Sequence, residues 1–207
     1  PAGVRPNRLL RPLVKRLLGE VEGQPNLLVQ IRMPQDFLDA HGYGILEPFL
    51  LEGFTAVLEY WERSVDLRLD GLEILHRAHK RVRYQLRRGL REAPAIRFYH
   101  REALPDPLLR EFFEAAVHTR EASGTPLGHD FALYAGDRAA LVRNGKAVLG
   151  VCEHQGYRGY LLALASRALG YYWDGSWAGE KTDFAMHFLH YRMMLFLKEL
   201  GVRRYSL

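Results

Sequence analysis

The stretch from Ala168 to Leu207 constrains the fold more than any other part of this chain. Leu169-Gly170-Tyr171-Tyr172-Trp173-Asp174-Gly175-Ser176-Trp177 is aromatic and broken by glycines, the pattern of a buried strand that ends in an open loop. Thr182 or Asp183 can cap a following helix that runs through Glu199, and Gly201 closes it. Val202-Arg203-Arg204-Tyr205-Ser206-Leu207 then begins another strand. A strand–helix–strand unit of this length predicts a parallel crossover, and ligands of such units usually sit at the loop after the first strand. That loop carries Asp174, Ser176 and Trp177.

The 207 residues amount to one ordinary domain, or one domain with part of another. With 48% hydrophobic and 12% aromatic residues the chain has material for a substantial core. A lone cysteine, Cys152, leaves no intramolecular disulfide and suits a reducing, cytoplasmic compartment. It lies in an apolar run, where a structural thiol is expected rather than a nucleophile. No apolar run approaches the roughly 20 residues that span a bilayer, and no secretory signal is visible. The sequence opens at Pro1 and stops where a strand begins, so it reads as part of a longer protein.

The net charge of +5 matters less than its placement. Arg77, Lys80, Arg81, Arg83, Arg87, Arg88 and Arg91 follow one another without an intervening acid. So dense a basic segment suits a polyanion: RNA, a nucleotide phosphate or an anionic lipid surface.

Along the chain, a short amphipathic helix is expected from Arg8 to Leu18, and strands at Leu27–Arg32, Phe54–Trp61 and Arg63–Leu67, with a helical turn at Asp36–Ala40. Leu72 to Glu92 reads as one basic helix, because Leu75, Ala78, Val82, Leu86 and Leu90 recur at spacings of three and four. Pro94 ends it, Ala95–Tyr99 is a strand, and Pro107 opens a helix through about Arg120. Thr125–Asp130 is a loop. Arg138–Arg143, Asn144-Gly145 and Lys146–Cys152 read as a β-hairpin, since Asn-Gly between β-rich runs is a strong hairpin signal. Tyr160–Ala165 adds a further strand.

This order of elements resembles a known family. Arg77-x-x-Lys80-Arg81-x-Arg83 with Arg87-Arg88 precedes a strand and a helix. Leu141 to Gly150 follows with its Asn-Gly-Lys turn, then Tyr-Tyr-Trp-Asp-Gly-Ser, a long helix and Gly-Val-Arg-Arg-Tyr. From about Val65 to Leu207 the chain resembles the FemABX-type branch of the acetyltransferase-like (GNAT) superfamily. The resemblance implies an α+β fold, a GNAT-like mixed sheet flanked by helices. It implies residues 1–71 as a partial N-terminal GNAT-like region, 72–93 as a basic connecting helix and 94–207 as a C-terminal GNAT-like domain. It also implies an N-acyl or aminoacyl transferase of the kind used in cell-wall synthesis, with aminoacyl-tRNA or an acyl thioester such as acyl-CoA as donor. No Arg/Gln-x-x-Gly-x-Gly/Ala segment opens a helix to cradle a pyrophosphate, which weakens acetyl-CoA as that donor.

Acyl transfer to an amine needs a group that orients or deprotonates the amine, and Asp174 and Ser176 are the catalytic candidates. Asp-Gly is equally ordinary turn chemistry, and Ser176 has no neighbouring histidine to activate it as a nucleophile. Tyr172 and Trp177 are candidates for the substrate groove, and strand alternation sets Tyr172 opposite Tyr171 and Trp173. Arg77, Lys80, Arg81, Arg87 and Arg88 are the candidate phosphate contacts, with tRNA or a phosphate-bearing acceptor as partner. His76/His79 and His187/His190 lack further ligands at matching spacing, so no metal is assigned; the second pair is expected on the polar edge of its helix. Two other classes stay open: a non-catalytic RNA-binding module on a transferase scaffold, and peripheral contact with anionic lipid through Arg5, Arg8, Arg11, Lys15 and Arg16.

Overall fold

The computed structural model describes residues 6–21, 49, 52, 64–128, 130–166, 168–180 and 182–207. They divide into two units, Pro1–Glu62 and Arg63–Leu207. In the first unit α1 (Pro6–Val21) is the amphipathic helix expected there. Its Val14 is buried, and its Arg11 and Lys15 converge on Glu52 at 2.9 and 3.7 Å. The strands expected at Leu27–Arg32 and Phe54–Trp61, and the turn at Asp36–Ala40, lie outside the described residues.

The second unit is built on a six-stranded mixed sheet. Its strands are β1 (Ser64–Asp66), β2 (Ala95–Tyr99), β3 (Ala147–His154), β4 (Tyr157–Ala165), β5 (Leu169–Ala178) and β6 (Arg204–Ser206), in the order β1-β6-β5-β4-β3-β2. Neighbours are antiparallel except β5 and β6, which run parallel from Leu169↔Arg204 to Tyr171↔Ser206. The predicted crossover is therefore present, with its helix at Asp183–Glu199.

Period-two alternation sorts the core into two layers. Ala147, Leu149 and Val151 of β3, with Tyr160 and Leu162 of β4, pack under α4 (Asp106–Ala122) and α5 (Phe131–Arg143). Val148 and Cys152, with Leu161 and Ala163, pack under α2 (Gly71–Arg77), α3 (Lys80–Glu92) and α6 (Asp183–Glu199). Cys152 is enclosed within the sheet, and burial pushes its thiol up to about 12, so it behaves as a small core residue.

Four sequence expectations need correction. The run Arg138–Arg143 is helical, because Asp130 caps α5 by accepting from the Leu133 N–H at 2.9 Å, and Tyr134, Arg138 and Val142 recur every four residues on its buried side. Asn144-Gly145 does form a turn, with Gly145 at φ 66°, but it joins a helix to β3. The hairpin is instead β3–β4, turned by Gln155 and Gly156, both at positive φ. The basic segment is two helices rather than one: α2 carries a capping box between Asp70 and Glu73, and the chain is extended at Ala78 and His79 before α3.

The fourth correction concerns the buried stripe on α3. Leu90 is 51% exposed, and the position that faces α6 is Gly89. A Cβ built on Gly89 would lie 2.4 Å from Cγ of Phe188, so only glycine allows the two helices this approach.

Candidate functional site

The site begins with an irregularity in β5. Leu162 pairs with Asp174 and Ala163 with Tyr172, which leaves Trp173 as an extra residue, a β-bulge. The bulge reverses the alternation. Tyr172, Gly175 and Trp177 face α3 and α6, whereas Asp174 and Ser176 face α4 and α5. The sequence places Asp174 and Ser176 in an open loop, but β5 continues to Ala178, and both residues are buried strand positions.

On the α4/α5 side the chemistry is closed. Asp174 Oδ2 accepts from Tyr134 Oη at 3.0 Å and from Arg138 Nη2 at 2.6 Å. The Arg138 guanidinium lies 3.3 Å from the Tyr134 ring centroid and also donates to the Tyr134 carbonyl at 3.2 Å. Burial drives the Tyr134 hydroxyl far above its ordinary range, so it stays a donor. Ser176 is fully enclosed, and its Oγ has no partner, nor has Nε of Arg138. This is a desolvated ion pair within a core, not a group presented to solvent.

On the α3/α6 side a cavity of about 310 Å³ opens beside the end of β5. Tyr172, Gly175 and Trp177 of β5 and Tyr157 of β4 form one wall. Arg81 and Gln85 come from α3, and Thr182, Met186 and His187 from the start of α6. Gly175 makes room for its neighbour, since a Cβ there would stand 2.6 Å from the Tyr172 hydroxyl. Burial raises both the Tyr157 and the Tyr172 hydroxyls, so each remains protonated at neutral pH. Oε1 of Gln85 is buried without a hydrogen-bond partner. Among the described residues no carboxylate lines the cavity and Arg81 makes no ion pair.

Of the residues singled out in the sequence, Arg81, Tyr172 and Trp177 meet in this cavity. Arg77 belongs to α2, is exposed and lies 3.9 Å from Glu73. Lys80 and Arg87 are exposed on α3, while Arg88 sits over the Phe184 ring at 4.8 Å and beside Glu92 at 3.9 Å. Gln85, Tyr157, Met186 and His187 also line the cavity, and none of them is a site candidate in the sequence. The polar-edge expectation fits His187, which is exposed, but not His190. His190 is partly buried, its Nδ1 3.3 Å from Tyr205 Oη and its ring 5.0 Å from that of Tyr172. Loss of water around the ring, with His187 nearby, pushes its titration down to about 4. Among the described residues no cluster of three or more His, Cys, Asp or Glu could hold a metal, and no helix is long and apolar enough to cross a membrane.

A mixed sheet with a parallel pair joined through α6, and helices on both faces, is a GNAT-like α+β fold. Among solved structures, FemX shares it at a TM-score of 0.66 and 15% identity, over 97% of this chain and 68% of that one. The C-terminal domain (DUF2156) of a putative lysylphosphatidylglycerol synthetase from Agrobacterium fabrum matches at a TM-score of 0.53 and 14% identity, over 84% of this chain and 57% of that one. The FemABX-type resemblance seen in the sequence is thus met at the level of the fold. No protein-family sequence profile matches the chain, and no curated protein matches its sequence.

Proposed function

We propose that the protein is an N-acyl or aminoacyl transferase, which moves an activated acyl group from aminoacyl-tRNA or an acyl thioester to an amine. The observation that carries this reading is the cavity beside the end of β5, in a fold shared with FemX. Among the described residues it combines the guanidinium of Arg81, protonated tyrosine hydroxyls, an imidazole and the start of α6. Acyl transfer to an amine asks for hydrogen-bond donors where the carbonyl oxygen gains charge and for an acceptor of the amine proton. Tyr157 and Tyr172 supply the first and His187 the second. Asp174 and Ser176, on the far side of β5, act in this reading through the bulge they border and not by touching substrate.

The exposed side of α3 favours an RNA-borne donor. Tyr84, 66% exposed, lies among Lys80, Arg81, Arg87 and Arg88 at spacings of three and four, and a ring among cations suits phosphates with stackable bases. A lipid-borne acceptor is the alternative that the name lysylphosphatidylglycerol synthetase brings to mind. The test is competition of aminoacylated against uncharged tRNA at two salt concentrations. Preference for the charged form that survives the higher salt supports the transferase reading with an RNA-borne donor. Equal binding that collapses with salt reduces α3 to a general polyanion surface.

A further inference from the structure

The lining of the cavity specifies its ligand more narrowly than acyl transfer requires. Its volume, about 310 Å³, stands at the low end of the roughly 300–1,000 Å³ common for small-molecule sites, which suits a ligand the size of one amino acid. Among the described residues Arg81 is the one formal positive charge in its lining, and no carboxylate joins it there. The 17-residue helix α6 begins at the same wall, and its N-cap residue does not cap it: the Thr182 hydroxyl donates to the Glu180 carbonyl instead. One guanidinium and the positive end of a helix together favour a single anionic group.

Gln85 supplies the complementary demand. Its Oε1 is buried and unpaired, and such an acceptor is costly unless the ligand brings an N–H to it. The remaining surface is Tyr157, Tyr172, Trp177 and Met186, three rings and a thioether, which receive an apolar or aromatic side chain.

We propose that the acceptor is a free α-amino acid with an apolar or aromatic side chain, its carboxylate held by Arg81 at the start of α6 and its amine at Gln85. The proposal rests on the transferase reading for its chemistry and on the cavity alone for its binding. In the reaction the ammonium gives one proton to His187. The amine nitrogen then bonds to the acyl carbonyl carbon and sheds its second proton as the bond from that carbon to the carrier oxygen or sulfur breaks. The carrier departs as a neutral hydroxyl or thiol with that second proton, and the product is an N-acyl amino acid.

The experiment is a calorimetric titration of the full chain with L-phenylalanine, L-phenylalaninamide, 3-phenylpropionate and adenosine monophosphate. L-Phenylalanine should bind, and removing either its carboxylate charge or its amine should weaken binding at least about tenfold. Arg81→Gln should erase the preference over the amide and leave that over 3-phenylpropionate. Gln85→Leu should do the reverse. Equal binding of acid and amide, tighter binding of adenosine monophosphate, or no binding of L-phenylalanine would overturn the proposal. An assay of acyl transfer keeps the two readings apart. Transfer to 2-phenylethylamine as fast as to L-phenylalanine overturns the amino-acid proposal and leaves the transferase standing. Binding with the expected discrimination, but no acylation from aminoacyl-tRNA or acyl thioesters, upholds the cavity assignment and removes the transferase.

Discussion

The two sides of β5 differ in the kind of chemistry they permit. Towards α4 and α5, Asp174 is held by Tyr134 and Arg138 in a layer closed to water, and Ser176 has no partner at all. Towards α3 and α6, Tyr172 and Trp177 border an open cavity in which Arg81 makes no ion pair among the described residues. The same short segment thus supplies a buried ion pair on one side and a cavity wall on the other. The lesson is that a carboxylate at the expected catalytic position can be an anchor: the acid on β5 holds the bulge, and the bulge aims the aromatic residues.

The largest effect should come from breaking the anchor. Arg138→Leu leaves the Asp174 charge buried without its partner and is expected to cost about 3–5 kcal/mol in urea unfolding. Adding Asp174→Leu should recover part of that loss. A cost below about 1 kcal/mol would mean that water reaches Asp174, and the contrast between the two sides would fail.

Next comes acidification of the cavity side. His190 titrates near 4 when folded and near 6.5 when not. The unfolded chain therefore takes up its proton first, so stability is complete above pH 6.5 and falls as pH drops towards 4, by a total on the order of 3 kcal/mol. His190→Phe should flatten that part of a stability-against-pH curve; an unchanged slope would show that the ring is hydrated.

Gly89→Ala forces a methyl group against Phe188 and should cost about 1–3 kcal/mol by thermal unfolding, parting α3 from α6 and so opening the cavity. Ser176→Ala removes a buried hydroxyl that bonds to nothing, and should leave stability unchanged or raise it by up to about 1 kcal/mol. A marked loss would reveal a partner. The smallest effect is expected for Gly175→Ala, whose methyl meets only the tip of Tyr172. Its unfolding should shift by less than about 1 kcal/mol, while ligand affinity changes because Tyr172 must turn.

Much of the fold was legible because local pattern and tertiary role agree. The aromatic strand, the apolar helix and Gly201 mark the crossover, and the parallel pairing of Leu169–Tyr171 with Arg204–Ser206 follows. The helix α5 is not legible locally because Ala139-Ala140-Leu141-Val142 suits either a strand or a helix, and the Asp130 cap that decides it lies nine residues earlier. The site was half legible. Tyr172, Trp177 and Arg81 are in the cavity, but Asp174 and Ser176 are turned away by one inserted residue, and a bulge leaves no periodic trace in a sequence. Gln85, Met186 and His187 could not be read from local pattern, because only the packing of α3 against α6 brings them together.

The position of β1 bears on how the sheet assembles in time. Among the described residues Ser64–Asp66 pairs only with Arg204–Ser206, so the first of the described strands waits for the last of them. The meander β3–β4–β5 needs only neighbouring segments and is expected to form early, with the β1–β6 edge closing late because its loop entropy is the greatest. Pulse-labelled hydrogen exchange during refolding would show it: protection at Leu161 and Leu162 should precede protection at Val65 and Tyr205, and simultaneous protection would mean that the whole sheet condenses in one step.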